Sequence, residues 1–297
     1  MMEGQTLRGR GRLIDYSNFV KLPHTLFALP FALVGATLAS YRYPVQLVDL
    51  VWVVIAFASA RFAAMGFNRI ADRATDARNP RTRAREIPSG KLTVRQAGAA
   101  VAIASGLFLF SAWMLNPLCL MLAPLALGWV LFYSYTKRFT RWAHLVLGFG
   151  MAIAPVGAYL AISGQWSRPA GALLALAGAV LGWGAGFDIL YALQDEDFDR
   201  AEGLHSVPAA FGARVAILIS RALHTATVVL FILCGFVFPG AGAIYFVGVA
   251  VIALMLVYEQ SLVRPGDLSR MDAAFFNTNA MISIVFFLFV VTERLLA

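Results

Sequence analysis

The chain has 297 residues, 60% of them hydrophobic and 13% charged, with a mean hydropathy of +0.74 and a formal net charge of +8. So little polar surface cannot solvate a water-soluble globule of this length, which leaves an integral membrane protein. The positive charge is accounted for by orientation in the bilayer and by attraction of membrane lipid or an anionic ligand, and calls for no nucleic acid.

Residues 1–24 are basic but lack a cleavable apolar core, and read as a cytoplasmic lead-in rather than a signal peptide. Apolar stretches of bilayer-crossing length follow at 25–41, 47–67, 94–115, 117–135, 143–163, 169–193, 215–236, 241–260 and 274–293. The expected fold is therefore all-α, a polytopic bundle of nine transmembrane helices, with 1–297 as a single domain. With the N-terminus inside, nineteen of the 24 Lys and Arg fall in inner segments, and only Arg42, Arg168 and Arg294 fall outside. Cationic loops stay cytoplasmic, so this split sets the orientation. Cys119 and Cys234 sit in spans without metal-ligand spacing and read as packing residues.

Two inner loops stand out by length and charge, 73–93 and 194–214. They follow the second and sixth helices, so parity places them on one face. Asn68, Asp72 and Asp76 are spaced i, i+4, i+8, which stacks them on one stripe if the second helix continues past its apolar run. Tyr191, Asp195 and Asp199 repeat that spacing at the end of the sixth, with Asp188 and Asp197 nearby. Facing stripes of oxygen ligands suit Mg²⁺, which takes carboxylates together with phosphate oxygens and water. Metal and diphosphate together offset a cluster of acids that would otherwise repel itself. Arg69, Arg73, Arg78, Arg81, Arg83, Arg85, Lys137 and Arg138 are candidate phosphate contacts. Asp188 and Arg61 lie seven residues before Asp195 and Asn68 in apolar helices, and ionisable residues at such depth mark function.

The stretches "RFAAMGFNRIADRATDARNPRTRAREIPSG", "YSYTKRFT" and "DILYALQDEDFDRAEGLHSVPAAFG" resemble the signature segments of the UbiA-type intramembrane prenyltransferases. The resemblance spans nearly the whole chain. It implies nine helices around a central cavity, with Mg²⁺-diphosphate at the cytoplasmic mouth and the prenyl tail among the helices. Asn68, Asp72, Asp76, Asp195 and Asp199 match the metal-diphosphate positions, and Lys137 and Arg138 match a basic pair facing the diphosphate. "KLPHTLFALPFA", "REIPSG" and "GLHSVPA" are similar to the branch assigned to menaquinone synthesis through the futalosine route. His205, standing where ubiquinone enzymes often carry lysine, joins the expected substrate-binding residues. The implied acceptor is a dihydroxynaphthoate (1,4-dihydroxy-6-naphthoate), with 4-hydroxybenzoate as the alternative.

The expected chemistry is transfer of a polyprenyl group from an allylic polyprenyl diphosphate to an aromatic acid acceptor. Metal and basic residues neutralise the leaving diphosphate. Tyr133 and Tyr191 offer electron-rich faces to the allyl cation. Asp188 either orients Tyr191 or accepts a proton from the acceptor. Arg61 needs an anionic partner, either Asp188 or the acceptor's carboxylate. His24, His144 and His224 show no ligand pairing and read as structural. Asn277 and Asn279 either reach the cavity or bond between helices. A secondary transporter, or a diphosphate phosphatase or cyclase, would also place acids in a helix bundle, and consumption of a prenyl diphosphate with an aromatic acid separates them.

Overall fold

The computed structural model describes residues 11–21, 28–271 and 273–297. Arg8, Arg10, His24 and most of the "KLPHTLF" stretch lie outside them. Twelve α-helices follow in chain order: α1 Arg12–Phe19, α2 Leu29–Ala39, α3 Leu47–Ala71, α4 Arg73–Arg78, α5 Val94–Leu115, α6 Pro117–Thr136, α7 Ala143–Ser163, α8 Ala170–Ala192, α9 Glu196–Ala201, α10 Val207–Val237, α11 Ala243–Ser261 and α12 Asn279–Leu296. Eight are long and apolar enough to cross a membrane, and α2 is a shorter apolar helix, in keeping with a nine-helix bundle.

Helix boundaries follow local chemistry. Thr93 caps α5 by accepting from the Gln96 amide, and Asn116 caps α6 from the Cys119 amide while donating to the Leu160 and Ala161 carbonyls of α7. Ser206 accepts from the Ala209 amide, with Pro208 in the first turn. This Ser-Val-Pro start opens α10 at Val207, eight residues before the expected span, and the helix then bends at Gly212, whose φ of 78° only glycine adopts easily. The loops expected at 73–93 and 194–214 are likewise partly helical, holding α4 and α9.

α8 is the enclosed centre, packed between α7 and α10. Close approach requires glycine: a Cβ at Gly148 of α7 would strike the Leu181 carbonyl of α8. Around Trp183 of α8, Phe31, Phe231 and Phe286 form an aromatic core. The same tryptophan donates to Asn279 Oδ1 at 2.7 Å, and Asn279 donates to Glu259 Oε1 at 3.0 Å. Asn279 thus bonds between helices, which suits a polar side chain in a dry interior, and Asn277 is exposed. His224 is buried against Gln260.

Candidate active site

The first acid stripe survives a break in the helix. Asp72 ends α3 and precedes α4, yet its amide donates to the Asn68 carbonyl and the Asp76 amide to the Asp72 carbonyl. On the other side Tyr191 ends α8, Asp195 closes a short 3₁₀ turn and Asp199 lies in α9. Both stripes line one cavity of about 870 Å³. Its mouth is polar, and deeper walls are apolar, formed by Phe57 of α3, Leu122 and Trp129 of α6, Met151 and Phe149 of α7 and Phe187 of α8.

The two loops meet directly, as helix parity requires. Arg81 donates from Nε to Asp195 Oδ1 at 2.9 Å and from Nη2 to Oδ2 at 2.5 Å, and its Nη1 reaches the Tyr191 hydroxyl at 3.0 Å. Asn79 donates to Asp195 Oδ1 at 3.0 Å, and at the rim Arg78 pairs with Glu202. Arg85 binds Asp76 Oδ1 at 2.6 Å, leaving Oδ2 buried without a hydrogen-bond partner among the described residues. Lys137 stands 3.3 Å from Asp199, and Arg138 stands 3.7 Å from Asp72, whose other oxygen accepts from Asn68.

These acids are under electrostatic load. Burial, reinforced by the neighbouring Asp76 carboxylate, pushes the Asp72 carboxyl up to about 6 against the pull of Lys137, Arg138 and Arg85. Burial pulls the Lys137 pKa down, but Asp199, Asp195 and Asp188 outweigh it and raise it above the usual lysine value. Among the described residues no three His, Cys, Asp or Glu converge on one point. Each acid is instead held by a cation or an amide. A carboxyl whose pKa burial and a neighbouring acid raise, and an Asp76 oxygen without a partner among the described residues, are nonetheless what a divalent cation would satisfy, so the donor set fits Mg²⁺.

Of the expected site residues, Arg61, Asn68, Arg69, Asp72, Asp76, Arg81, Tyr133, Lys137, Arg138, Asp188, Tyr191, Asp195 and Asp199 line the cavity. Four expected substrate contacts do not: Arg78, paired with Glu202 at the rim, and three others. Arg73, one position round the helix from Asp72, turns back to the Ile70 carbonyl. Arg83 points to solvent. His205 faces a small separate pocket with Phe139, Arg141 and Trp142, because its amide is bonded to the Lys137 carbonyl. Tyr135 faces outward against Phe67 and Arg138. Asp188 is turned to His144 at 2.7 Å, and the Tyr191 hydroxyl goes to Arg81, so neither the tyrosine nor Arg61 is the partner of Asp188. Asn79 and Thr82 were not among the expected residues, and His144, expected to be structural, bonds Asp188 of the cavity. The Asn-Pro pair after α4 signalled a turn at Asn79, and nothing in the sequence pointed His144 to Asp188.

A membrane bundle that keeps its acids and bases at one end of an apolar chamber is built to hold an anionic head with a long apolar tail, and to act on the bond between them. The UbiA prenyltransferase family model matches residues 28–288, and the chain belongs to that family. It is a prenyltransferase, which removes the transporter alternative. The chain is 31% identical over 256 residues to a 4-hydroxybenzoate octaprenyltransferase of Shewanella halifaxensis, covering 86% of this chain and 87% of that one. A protein of the same description from Nitrosococcus oceani is 30% identical over 282 residues, covering 93% and 95%. Among solved structures, an apo UbiA homolog from Aeropyrum pernix K1 superposes with a TM-score of 0.82 at 37% identity, covering 91% and 98%. A UbiA homolog from Archaeoglobus fulgidus bound to GPP and Mg²⁺ shares the fold, with a TM-score of 0.69 at 17% identity, covering 94% and 99%.

Removing either side of the shared charge cluster tests it. Asp72→Ala and Asp195→Ala should each lower turnover by about 100-fold or more, the loss of several kcal/mol of charge stabilisation. Both variants retaining activity within a few-fold of the parent would show that the stripes do not act together.

Proposed function

We propose that the protein transfers a polyprenyl group from an allylic polyprenyl diphosphate to an aromatic acid, with Mg²⁺, and releases diphosphate. The observation that carries this reading is the cavity itself, acidic and basic at its mouth, apolar within, and lined at depth by Arg61, whose Nε has no hydrogen-bond partner among the described residues. The Archaeoglobus homolog with GPP and Mg²⁺ supports the donor, and the relatives named for 4-hydroxybenzoate support the acceptor class.

Asn68, Asp72, Asp76, Asp195 and Asp199 would hold the metal. When bound, Mg²⁺ neutralises the charge growing on the departing diphosphate. Arg85, Lys137 and Arg138, each beside an acid of the mouth, would turn to phosphate oxygens, with Arg69 behind them, while Arg81 keeps Asp195 in register. The bond from prenyl C1 to the diphosphate oxygen breaks and its electron pair leaves with diphosphate. Tyr133 and Tyr191 face the allyl cation, and the apolar walls keep water away from it. The acceptor's ring carbon bonds to C1 while its phenol proton passes to Asp188. The proton on the alkylated carbon then leaves with diphosphate, the ring regains aromaticity, and Asp188 returns its proton to the oxygen.

Arg61 makes the acceptor an acid. Its Nε is buried with no hydrogen-bond partner among the described residues, and Asp188, the protein group that could have served, is taken by His144. An unpaired charge at that depth is costly, and a bound carboxylate would relieve it through two parallel hydrogen bonds. For the particular acid, the similarity of "REIPSG" and "GLHSVPA" to the menaquinone branch favours 1,4-dihydroxy-6-naphthoate. The names of the 30–31% identical relatives favour 4-hydroxybenzoate as a second reading. We place the N-terminus and both acid-bearing loops on the cytoplasmic side of the cell membrane, following the charge asymmetry.

A membrane assay with one long prenyl diphosphate, Mg²⁺ and a panel of aromatic acids, read by mass spectrometry, should show one alkylated acid and no product from rings lacking the carboxylate. Arg61→Lys should raise KM for that acid about tenfold, the worth of a lost charged hydrogen bond, and leave KM for the prenyl diphosphate near the parent's. A rise confined to the prenyl diphosphate would move Arg61 to the diphosphate site. For orientation, single cysteines at the exposed Ser89 and Ala201, with Cys119 and Cys234 replaced by alanine, should both react with an impermeant maleimide only from the cytoplasmic side. Labelling of either from outside contradicts the placement.

A further inference from the structure

His144, in the first turn of α7, is fully buried between Asp188 of α8 and the start of α10, and is not among the residues lining the cavity. Its Nδ1 lies 2.7 Å from Asp188 Oδ2, and its Nε2 lies 3.3 Å from the backbone nitrogen of Val207, the first residue of α10. A backbone N–H can only donate, so Nε2 is the acceptor and the ring proton sits on Nδ1, where it donates to the carboxylate. A doubly protonated ring would set N–H against N–H at Val207. One tautomer is therefore selected by geometry alone.

The consequence falls on Asp188. Oδ2 is occupied, and among the described residues His144 is the one hydrogen-bonding partner of this carboxylate, whose side chain keeps 17% of its surface and opens onto the cavity beside Tyr191. Lys137, from the end of α6, is the cation that would otherwise draw it, and Lys137 is engaged with Asp199 3.3 Å away. Arg61 faces the same cavity from α3. Anchored from behind, Asp188 keeps its free oxygen toward the ring and stays out of the diphosphate site.

We propose that His144 is a positioning residue for acceptor activation: clamped in the Nδ1–H tautomer by the Val207 amide, it aims the free oxygen of Asp188 at the acceptor's phenol. The proposal rests on the reading of Asp188 as the proton acceptor for an aromatic ring, given above. It also gives the helical start of α10 a task, since shifting Val207 would release the ring and, through it, the carboxylate.

The test compares His144→Leu with His144→Gln, whose amide can donate to Asp188 and whose oxygen can accept from Val207. His144→Leu should lower kcat with the aromatic acid about 100-fold, at the low end of what a general base contributes, with KM for the prenyl diphosphate within about threefold of the parent's. His144→Gln should recover kcat to within about fivefold of the parent. A ring-fluorinated acceptor, whose phenol ionises more readily, should shrink the deficit of His144→Leu, which a purely structural defect would not do. Adding His144→Leu to Asp188→Asn should lower kcat no further. Parent-like kcat in His144→Leu overturns the proposal, as does a deficit that neither Gln nor the fluorinated ring relieves in protein with the parent's thermal midpoint. A parent that consumes prenyl diphosphate and alkylates no aromatic acid overturns the underlying reading instead.

Discussion

The fork between Arg81 and Asp195 is the contact on which the rest of the site depends. It joins the loop after α3 to the end of α8, two segments more than a hundred residues apart, with Asn79 and Tyr191 completing the junction. A partly buried ion pair of this kind adds little net stability compared with apolar packing, while breaking one side of it is expensive. Its value lies in register. With Arg81 seated, Asp72 and Asp76 face Asp195 and Asp199 across one mouth, and the apolar cavity below has a single polar end.

The same economy runs through the membrane interior, where a polar group without a partner has no water to turn to. Trp183, Asn279 and Glu259 are linked in a chain of hydrogen bonds, with Glu259 Oε2 left without a partner among the described residues. Asn116 bridges α6 to α7, and Gln260 ties Ser220 to His224. The Arg61 Nε is buried without a hydrogen-bond partner among the described residues, as are Ser134 Oγ, His224 Nε2, Glu259 Oε2 and Gln260 Oε1; Arg61 is the arginine among them, and it lines the cavity. The Asp76 oxygen at the mouth is in the same condition. The Arg61 and Asp76 atoms both belong to residues that line the cavity, where a bound ligand would reach them.

Much of this was legible in the sequence. Apolar runs of bilayer length located the spans, and the i, i+4, i+8 spacing picked out two acid sets that line one cavity, helped by i, i+4 bonding that runs through the junction at Asp72. What periodicity cannot report is direction within a turn-rich segment. The arginines at 73, 81, 83 and 85 look alike as residues, and only the turns after Asn79 decide that Arg81 and Arg85 face the acids while Arg73 and Arg83 do not. The pairing of His144, expected to be structural, was illegible for another reason: its partners, Asp188 and Val207, lie 44 and 63 residues away. The early start of α10 was signalled by Ser206 and Pro208, but the polar residues of that turn masked it as loop.

The central claim is that the two acid stripes form one site that binds divalent metal together with a diphosphate. Titration of the purified protein with Mn²⁺ by electron paramagnetic resonance, in the presence of a non-reacting prenyl thiodiphosphate, tests this without relying on turnover. The account predicts that Asp76→Asn, on the first stripe, and Asp199→Asn, on the second, each weaken Mn²⁺ binding by about tenfold or more, as loss of a charged ligand should. Parent-like Mn²⁺ affinity in either variant, with loss confined to the other, would show that a single stripe holds the metal and would contradict the account.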